Sequence, residues 1–152
     1  MNNTIKTFII SILIPLSVGI VSSLLTMNNM QIYSTLQTPP LSPPSILFPI
    51  VWTILYVLMG VSSGIIYLNN SIRGLGYYAI SLVFNFFWSI VFFNLRWFLF
   101  AFIWLLFLLY FIIKTIMSYK YTSNTAAYLQ IPYALWVAFA GYLNFGIWFL
   151  NM

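Results

Sequence analysis

Residues 98–117 read FLFAFIWLLFLLYFIIKTIM, a run of about 20 residues that contains one charged side chain, Lys114. A helix of that length and apolarity spans the hydrocarbon core of a bilayer. This run, like the other apolar runs of the chain, does not alternate apolar and polar residues as a strand of a membrane β-barrel does. The sequence therefore predicts an all-α membrane protein, a single domain over residues 1–152 built as a bundle of five transmembrane helices. Separated by polar or Pro/Gly-rich segments, the five apolar runs cover roughly residues 8–27, 46–68, 77–95, 98–117 and 126–150.

The run at 8–27 is predicted to stay in place as the first helix. A basic residue, Lys6, precedes it, as in a secretory signal peptide. The run is long for that role, however, and no small-residue cleavage pattern follows Thr26.

The composition excludes a soluble globular protein and most familiar catalytic chemistry. The chain has five basic residues and no Asp, Glu, His or Cys, and charged residues make up 3% of it, against roughly 25% in an ordinary soluble domain. Carboxylate pairs, Ser-His-Asp and Cys-His nucleophiles and His/Cys/Asp metal sites all lack their reagents. We therefore expect no metal and no required cofactor. We also expect no nucleic-acid partner, because the sequence has no basic patch that would bind one. Aromatic faces, amides and hydroxyls remain for binding.

The positions of the cations predict the orientation in the membrane. With five spans, Lys6, Arg73, Lys114 and Lys120 lie on one side and Arg96 alone lies on the other. The excess of Lys and Arg marks the cytoplasmic side. The N-terminus is therefore predicted to be cytoplasmic, and the first loop and the C-terminus exterior.

The first loop contains QTPPLSPP at residues 37–44, which the consecutive prolines keep extended and stiff. At about 18 residues the loop is long for a connection between packed helices. It is predicted to be either a lid over the bundle or a plain connector.

The second helix presents one aromatic face and one pattern of small residues. Trp52, Tyr56 and Gly60 are spaced by four and share a face. The aromatic pair suits either a ligand or an interfacial belt. The pattern Gly60-Val61-Ser62-Ser63-Gly64 permits close backbone approach, either by a helix of the same chain or by a second subunit.

Polar groups inside the third helix indicate either a pocket or hydrogen bonds between helices. Asn85, Trp88, Ser89 and Phe92 share one face by their spacing. A buried amide must find a partner in a membrane, so this face points to the bundle interior or to a cavity.

The fifth helix places Trp136 on one face with small and apolar neighbours. Ala140 and either Leu143 or Asn144 follow Trp136 on that face, which leaves space for a neighbouring helix or a flat ligand. Pro132, earlier in the run, is predicted to bend the helix.

These blocks resemble the translocator protein family, also called tryptophan-rich sensory proteins or TspO/MBR, in a bacterial-type member. The resemblance covers nearly the whole chain and is weakest in the first helix. The matching motifs are PPLSPP (39–44), FPIVWTILYVLMG (48–60), NFFWS (85–89) with Phe92-Phe93, and PYALWVAFAGYLN (132–144). Their order and spacing carry the resemblance.

The resemblance implies a five-helix bundle, commonly a homodimer, with a pocket beneath the first loop. Members of the family bind porphyrins, sterols and synthetic aromatic ligands, and some are reported to promote light- and oxygen-dependent porphyrin breakdown. By position in the motifs, Trp52 and Asn85 would make polar contacts to the ligand in that pocket. Trp52 and Trp136 match the tryptophans tied to porphyrin chemistry and are the candidate catalytic residues. From the resemblance and the shared faces together, the predicted ligand-binding residues are Trp52, Tyr56, Asn85, Trp88, Ser89, Trp136, Ala140 and Leu143.

Two departures from the family pattern stand in this sequence. Leu41 occupies a position where many members have Trp, so this loop lacks the aromatic ring that those members carry there. No Lys or Arg follows Tyr142, so the sterol motif of animal members is absent at the C-terminus.

The functions that stay open are a binding protein, an enzyme and a transporter. The first is a sensory or regulatory membrane protein of the bacterial cell membrane, which binds protoporphyrin IX or another flat hydrophobic ligand. The second is a porphyrin-degrading activity in which the pigment supplies the chemistry. The third is facilitated transport of porphyrin or lipid; proton-coupled transport is disfavoured because no ionisable group lies in mid-span.

Overall fold

The computed structural model describes residues 2–152, whose regular structure is helical. Five segments are long and apolar enough to cross a membrane: α1, α3, α4 with a π-helical turn that continues it, α5, and α6 together with α7. The prediction of an all-α bundle of five transmembrane helices is confirmed. The helices are α1 (Asn3–Thr26), α2 (Ile32–Thr35), α3 (Leu47–Leu68), α4 (Leu75–Ser89) with the π turn Ile90–Asn94, α5 (Phe98–Tyr119), α6 (Asn124–Leu129) and α7 (Ile131–Leu150).

Side-chain caps explain why two spans begin earlier than the apolar runs. The Asn2 side chain accepts a hydrogen bond from the Thr4 N–H at 2.8 Å, which adds a turn to α1 before residue 8. The Ser123 hydroxyl accepts from the Ala126 N–H at 3.2 Å and starts α6.

The fifth span is two helices rather than one. It is interrupted at Gln130, where α6 has ended and α7 begins. Pro132 lies in the first turn of α7, where its missing N–H leaves no helical hydrogen bond unmade. The bend predicted from Pro132 therefore takes the form of an interruption two residues before it.

Gly60 and Gly64 pack α3 against α1 of the same chain. A Cβ at Gly60 would meet the Ile12 Cα and would lie 2.7 Å from the Ser11 carbonyl oxygen. A Cβ at Gly64 would lie 2.9 Å from the Phe8 ring. The small-residue pattern thus serves packing within the chain, not contact with a second subunit.

The surface and the interior are arranged for a lipid solvent. Large apolar side chains point outward, among them Leu24, Phe107 and Leu135, each more than half exposed. Inside, α5 packs between the α4 and α7 spans, and α1 packs on α3 and α4. Polar side chains such as Asn85 and Gln130 are buried. An apolar exterior around an interior that holds both apolar and hydrogen-bonded polar side chains is what a bilayer favours.

The two ends of the bundle differ. At the long-loop end, residues 27–46 lie beside the π turn, where the Asn29 amide donates to the Asn94 side-chain oxygen at 2.7 Å. At the short-loop end, residues 69–74 and 120–123 meet, where the Thr122 hydroxyl donates to Ser71 Oγ at 3.1 Å.

Candidate functional site

A cavity of about 220 Å³ lies beneath the long loop. The α1, α3 and α4 spans, the loop and the C-terminal half of α7 contribute to it, and its lining carries no ionised side chain. Pockets for drug-sized ligands typically run from about 300 to 1,000 Å³. A large flat ligand would therefore extend through the opening or displace the loop. The lining residues are Gly19, Ser22, Ser23, Met30, Tyr33, Ser45, Phe48, Pro49, Trp52, Tyr56, Asn85, Trp88, Ser89, Phe92, Phe93, Ala140, Leu143, Asn144 and Ile147.

The floor of the cavity is an amide held between two tyrosines. The Tyr56 hydroxyl donates to the Asn85 side-chain oxygen at 2.9 Å, and the Asn85 amide nitrogen donates to the Tyr133 hydroxyl at 3.1 Å. Asn85 is 5% exposed and Tyr133 is fully buried. Of the two alternatives, pocket lining and interhelical hydrogen bonding, Asn85 fulfils both. One amide hydrogen and one acceptor lone pair remain for other contacts.

Trp52 lies over this floor. Its ring is stacked on that of Tyr56, with centroids 5.6 Å apart and planes at 27°. It also meets the Tyr133 ring edge-on at 6.3 Å. Within residues 2–152 the Trp52 indole N–H has no hydrogen-bond partner, so this donor is available to a ligand.

A second aromatic wall comes from the α4 span. The Trp88 indole N–H donates to the Asn144 side-chain oxygen at 3.1 Å, and the Asn144 amide donates to the Phe98 carbonyl at 2.8 Å. The Trp88 and Phe92 rings lie 5.2 Å apart. Phe92 and Phe93 belong to the π turn, a helical variant that is frequent at functional sites. These bonds fix the Trp88 ring against the cavity.

The structure brings seven of the eight predicted site residues together, all except Trp136. Trp136 instead contacts Phe48, a lining residue, with ring centroids 5.9 Å apart. Its indole N–H is buried without a partner within residues 2–152. A ligand contact or catalytic role for Trp136 stays a prediction.

Sequence reasoning missed the contribution of α1. Gly19, Ser22 and Ser23 line the cavity. Gly19 admits the Tyr56 ring, which a Cβ there would strike. These three small residues share a face in a helix of large side chains, and that contrast was the available signal.

The long loop covers the cavity as a lid. The Tyr33 hydroxyl donates to the Pro43 carbonyl at 3.0 Å, and the Tyr33 ring lies 5.2 Å from that of Phe48. Burial raises the pKa of the Tyr33 hydroxyl above its ordinary value, and the Ser42 hydroxyl partly offsets that rise by hydrogen bonding. Tyr33 therefore stays neutral and keeps its proton for the Pro43 carbonyl.

The lid is attached to the end of α7. The Asn151 side chain accepts from the Gln37 N–H at 3.0 Å and donates to the Gln37 carbonyl at 2.8 Å. The Tyr142 hydroxyl donates to the Pro40 carbonyl at 2.6 Å, and Gly146 leaves room for the Pro39 ring. Leu41, at the top of the lid, has φ +70° and is 85% exposed.

Replacing Asn151 by alanine is expected to loosen the lid, because both hydrogen bonds to Gln37 are lost. The chain has no cysteine, so a Leu41→Cys variant carries one spin label at a single site. We expect the label's electron-paramagnetic-resonance spectrum to narrow in the Asn151→Ala background. Asn69→Ala is the matched control, since the Asn69 amide donates to the Ile65 carbonyl at the other end of the bundle and, within residues 2–152, makes no hydrogen bond to the lid. Equal spectra in both backgrounds would exclude the attachment.

Comparison with known proteins identifies the family. The model of the TspO/MBR family matches residues 11–149. The chain belongs to the TspO/MBR family. It is 37% identical over 157 aligned residues to the tryptophan-rich protein TspO of Chlorobaculum tepidum, which covers 99% of both chains. It is 36% identical to the TspO of Archaeoglobus fulgidus, over 97% of this chain and 98% of the relative.

Animal relatives also match. The translocator protein of Ovis aries is 35% identical over 122 residues, which cover 76% of this chain and 72% of the relative. The chain is therefore an integral membrane protein of the TspO/MBR family, and the resemblance read from its motifs is confirmed. The side chains that line the cavity are aromatic, amide, hydroxyl, thioether and aliphatic groups, and none is ionised.

Proposed function

We propose that this protein is a membrane receptor for a flat aromatic ligand of the tetrapyrrole class, with protoporphyrin IX as the ligand to test first. The observation that supports it most is the pairing of two tryptophan walls with an amide floor in one cavity. Rings of this kind bind a flat ligand by stacking and burial. Trp52 supplies a free N–H donor, and Asn85 supplies the amide capacity that its two tyrosines leave unused.

A sensory role fits this design. The lining has no carboxylate, imidazole or thiol, so the chain itself offers no conventional acid, base or nucleophile for chemistry on the ligand. A relative in Cereibacter sphaeroides is named a tryptophan-rich sensory protein, at 32% identity over 120 residues. We place the protein in the bacterial cell membrane with the cavity opening toward the exterior, because four of the five cations lie at the opposite end.

We also propose that two copies associate as a homodimer. The Gly60 and Gly64 positions are already occupied by α1, so the second copy must use another face. No part of the cavity lining would then have to come from the partner.

Filling the cavity tests the binding proposal. Ala140 is 8% exposed and lines the cavity, so Ala140→Leu places added carbons where the ligand would lie. We expect the Kd for protoporphyrin IX, measured by tryptophan fluorescence quenching of the purified protein, to rise about tenfold or more, which corresponds to about 1.4 kcal/mol.

The matched control is Ala138→Leu, because Ala138 is exposed on the other side of α7 and lines no part of this cavity. Affinity that is unchanged in both variants would refute binding in the cavity. An equal loss in both would indicate non-specific partitioning of the porphyrin.

A further inference from the structure

The short-loop end concentrates the positive charge of the chain. Lys6, Arg73, Lys114 and Lys120 belong to this end, and the whole sequence has no carboxylate side chain to neutralise them. Their counter-ions must therefore come from outside the protein. At a membrane surface the fixed negative charges are lipid headgroups, and each nearby cation contributes about 1 kcal/mol of attraction to them.

Two loops at this end are joined into one rigid unit. Ser71 Oγ accepts from the Thr122 hydroxyl at 3.1 Å and from the Arg73 backbone N–H at 3.1 Å. Gly74 follows with φ +88°, and a Cβ there would lie 2.8 Å from Ser118. The backbone that carries Arg73 is thus fixed against the loop that carries Lys120 and Tyr121.

The Arg73 side chain is also positioned. Its guanidinium carbon lies 3.7 Å from the centroid of the Tyr121 ring. Stacking on a ring uses the flat face of the guanidinium and leaves its in-plane N–H groups free. Those donors form the planar fork that binds a phosphate with two hydrogen bonds. Lys120, which directly precedes Tyr121, adds a second cation on the same loop.

Two exposed side chains, Ile72 and Tyr121, lie next to the cations in the sequence. Ile72, the residue before Arg73, is 81% exposed, and Tyr121 is 73% exposed. Tyrosine is enriched at the membrane–water interface, and the exposed Ile72 side chain is compatible with contact to lipid beside it. The geometry therefore favours a phosphate that is anchored in a bilayer over one free in solution.

We propose that Arg73, Lys120 and Tyr121 form a binding site for the phosphate headgroup of an anionic phospholipid. The Arg73 fork binds the phosphate, Lys120 adds charge, and Tyr121 holds the guanidinium in place. The site lies at the end of the bundle away from the cavity and does not depend on what the cavity binds.

Native mass spectrometry of the full chain, titrated in detergent with phosphatidylglycerol or phosphatidylcholine, tests the proposal. We expect the intact protein to retain phosphatidylglycerol more tightly than phosphatidylcholine. Arg73→Gln is expected to raise the phosphatidylglycerol Kd about fivefold, the loss of one cation near a headgroup. The phosphatidylglycerol Kd of Arg73→Lys is expected to lie between those of the parent protein and Arg73→Gln, because lysine keeps the charge but lacks the planar pair of N–H donors.

The matched control is Arg96→Gln, which removes the one cation of the long-loop end. We expect it to leave the phosphatidylglycerol Kd unchanged. An equal effect of Arg96→Gln would mean general charge attraction, and equal retention of both lipids would mean no headgroup site. Release of phosphatidylglycerol by millimolar inorganic phosphate would mean that free phosphate is the ligand. Each of these three results overturns the proposal.

Discussion

Replacement of Gly60 by valine is expected to lower the free energy of unfolding by about 3 kcal/mol, the upper range for overpacking a filled interior. The added atoms would strike the backbone of α1 at Ser11 and Ile12, and backbone cannot rotate out of the way as a side chain can. The two helices must separate along their contact. Unfolding in micelles with increasing dodecyl sulfate, followed by far-ultraviolet circular dichroism, measures the change.

Gly76→Val is the matched control for this experiment. Gly76 is also in a helix, and a Cβ there has no atom within 4 Å. We expect its effect on stability to stay within about 0.5 kcal/mol. If the two valine variants unfold alike, the close packing of α1 on α3 is not what stabilises the bundle. Since Gly19 and Ser22 of α1 line the cavity, Gly60→Val should also weaken porphyrin binding.

Asn85→Leu is expected to destabilise the protein by about 3 kcal/mol, because the buried hydroxyls of Tyr56 and Tyr133 both lose a partner. The cost lies in the two unpaired hydroxyls rather than in the lost amide. Adding Tyr56→Phe and Tyr133→Phe to Asn85→Leu should therefore recover most of the stability. The same dodecyl sulfate titration measures all the variants.

The triple variant also separates structure from binding. If Asn85 contacts the ligand, the triple variant is stable and yet binds protoporphyrin IX more weakly than the Tyr56→Phe, Tyr133→Phe double variant, which keeps Asn85. If the triple variant is no more stable than Asn85→Leu, the two unpaired tyrosine hydroxyls are not the cause of the destabilisation. Unchanged affinity in the triple variant would remove Asn85 from the ligand site while leaving its structural role intact.

The fold was predictable from the sequence because a bilayer accepts few solutions. An apolar run such as residues 98–117 must be helical, since no water is available for its backbone groups. The shared face of Asn85, Trp88 and Ser89 likewise follows from helical spacing alone, and all three line the cavity.

The spacing of residues along a helix does not predict which residue of another helix packs against each of its faces. Trp136 shares its face with Ala140, yet Phe48 of another span stands against its ring. The partners of Asn85 are tyrosines 29 and 48 residues away, a pairing that depends on how the helices are set against one another. The π turn at Ile90–Asn94 departs from the regular helical repeat, so a fixed period does not predict it.

The interruption at Gln130 divides the fifth span into two parts with different attachments. The first part, α6 together with Gln130, is hydrogen-bonded to α3. There Ser62 Oγ donates to the Ala126 carbonyl at 2.7 Å and accepts from the Gln130 amide at 3.2 Å. The second part, α7, is hydrogen-bonded to the lid through Tyr142 and through Asn151, which directly follows the helix. A displacement of the lid would therefore act on α7 through these hydrogen bonds, whereas Ser62 of α3 holds the Ala126 carbonyl and the Gln130 amide.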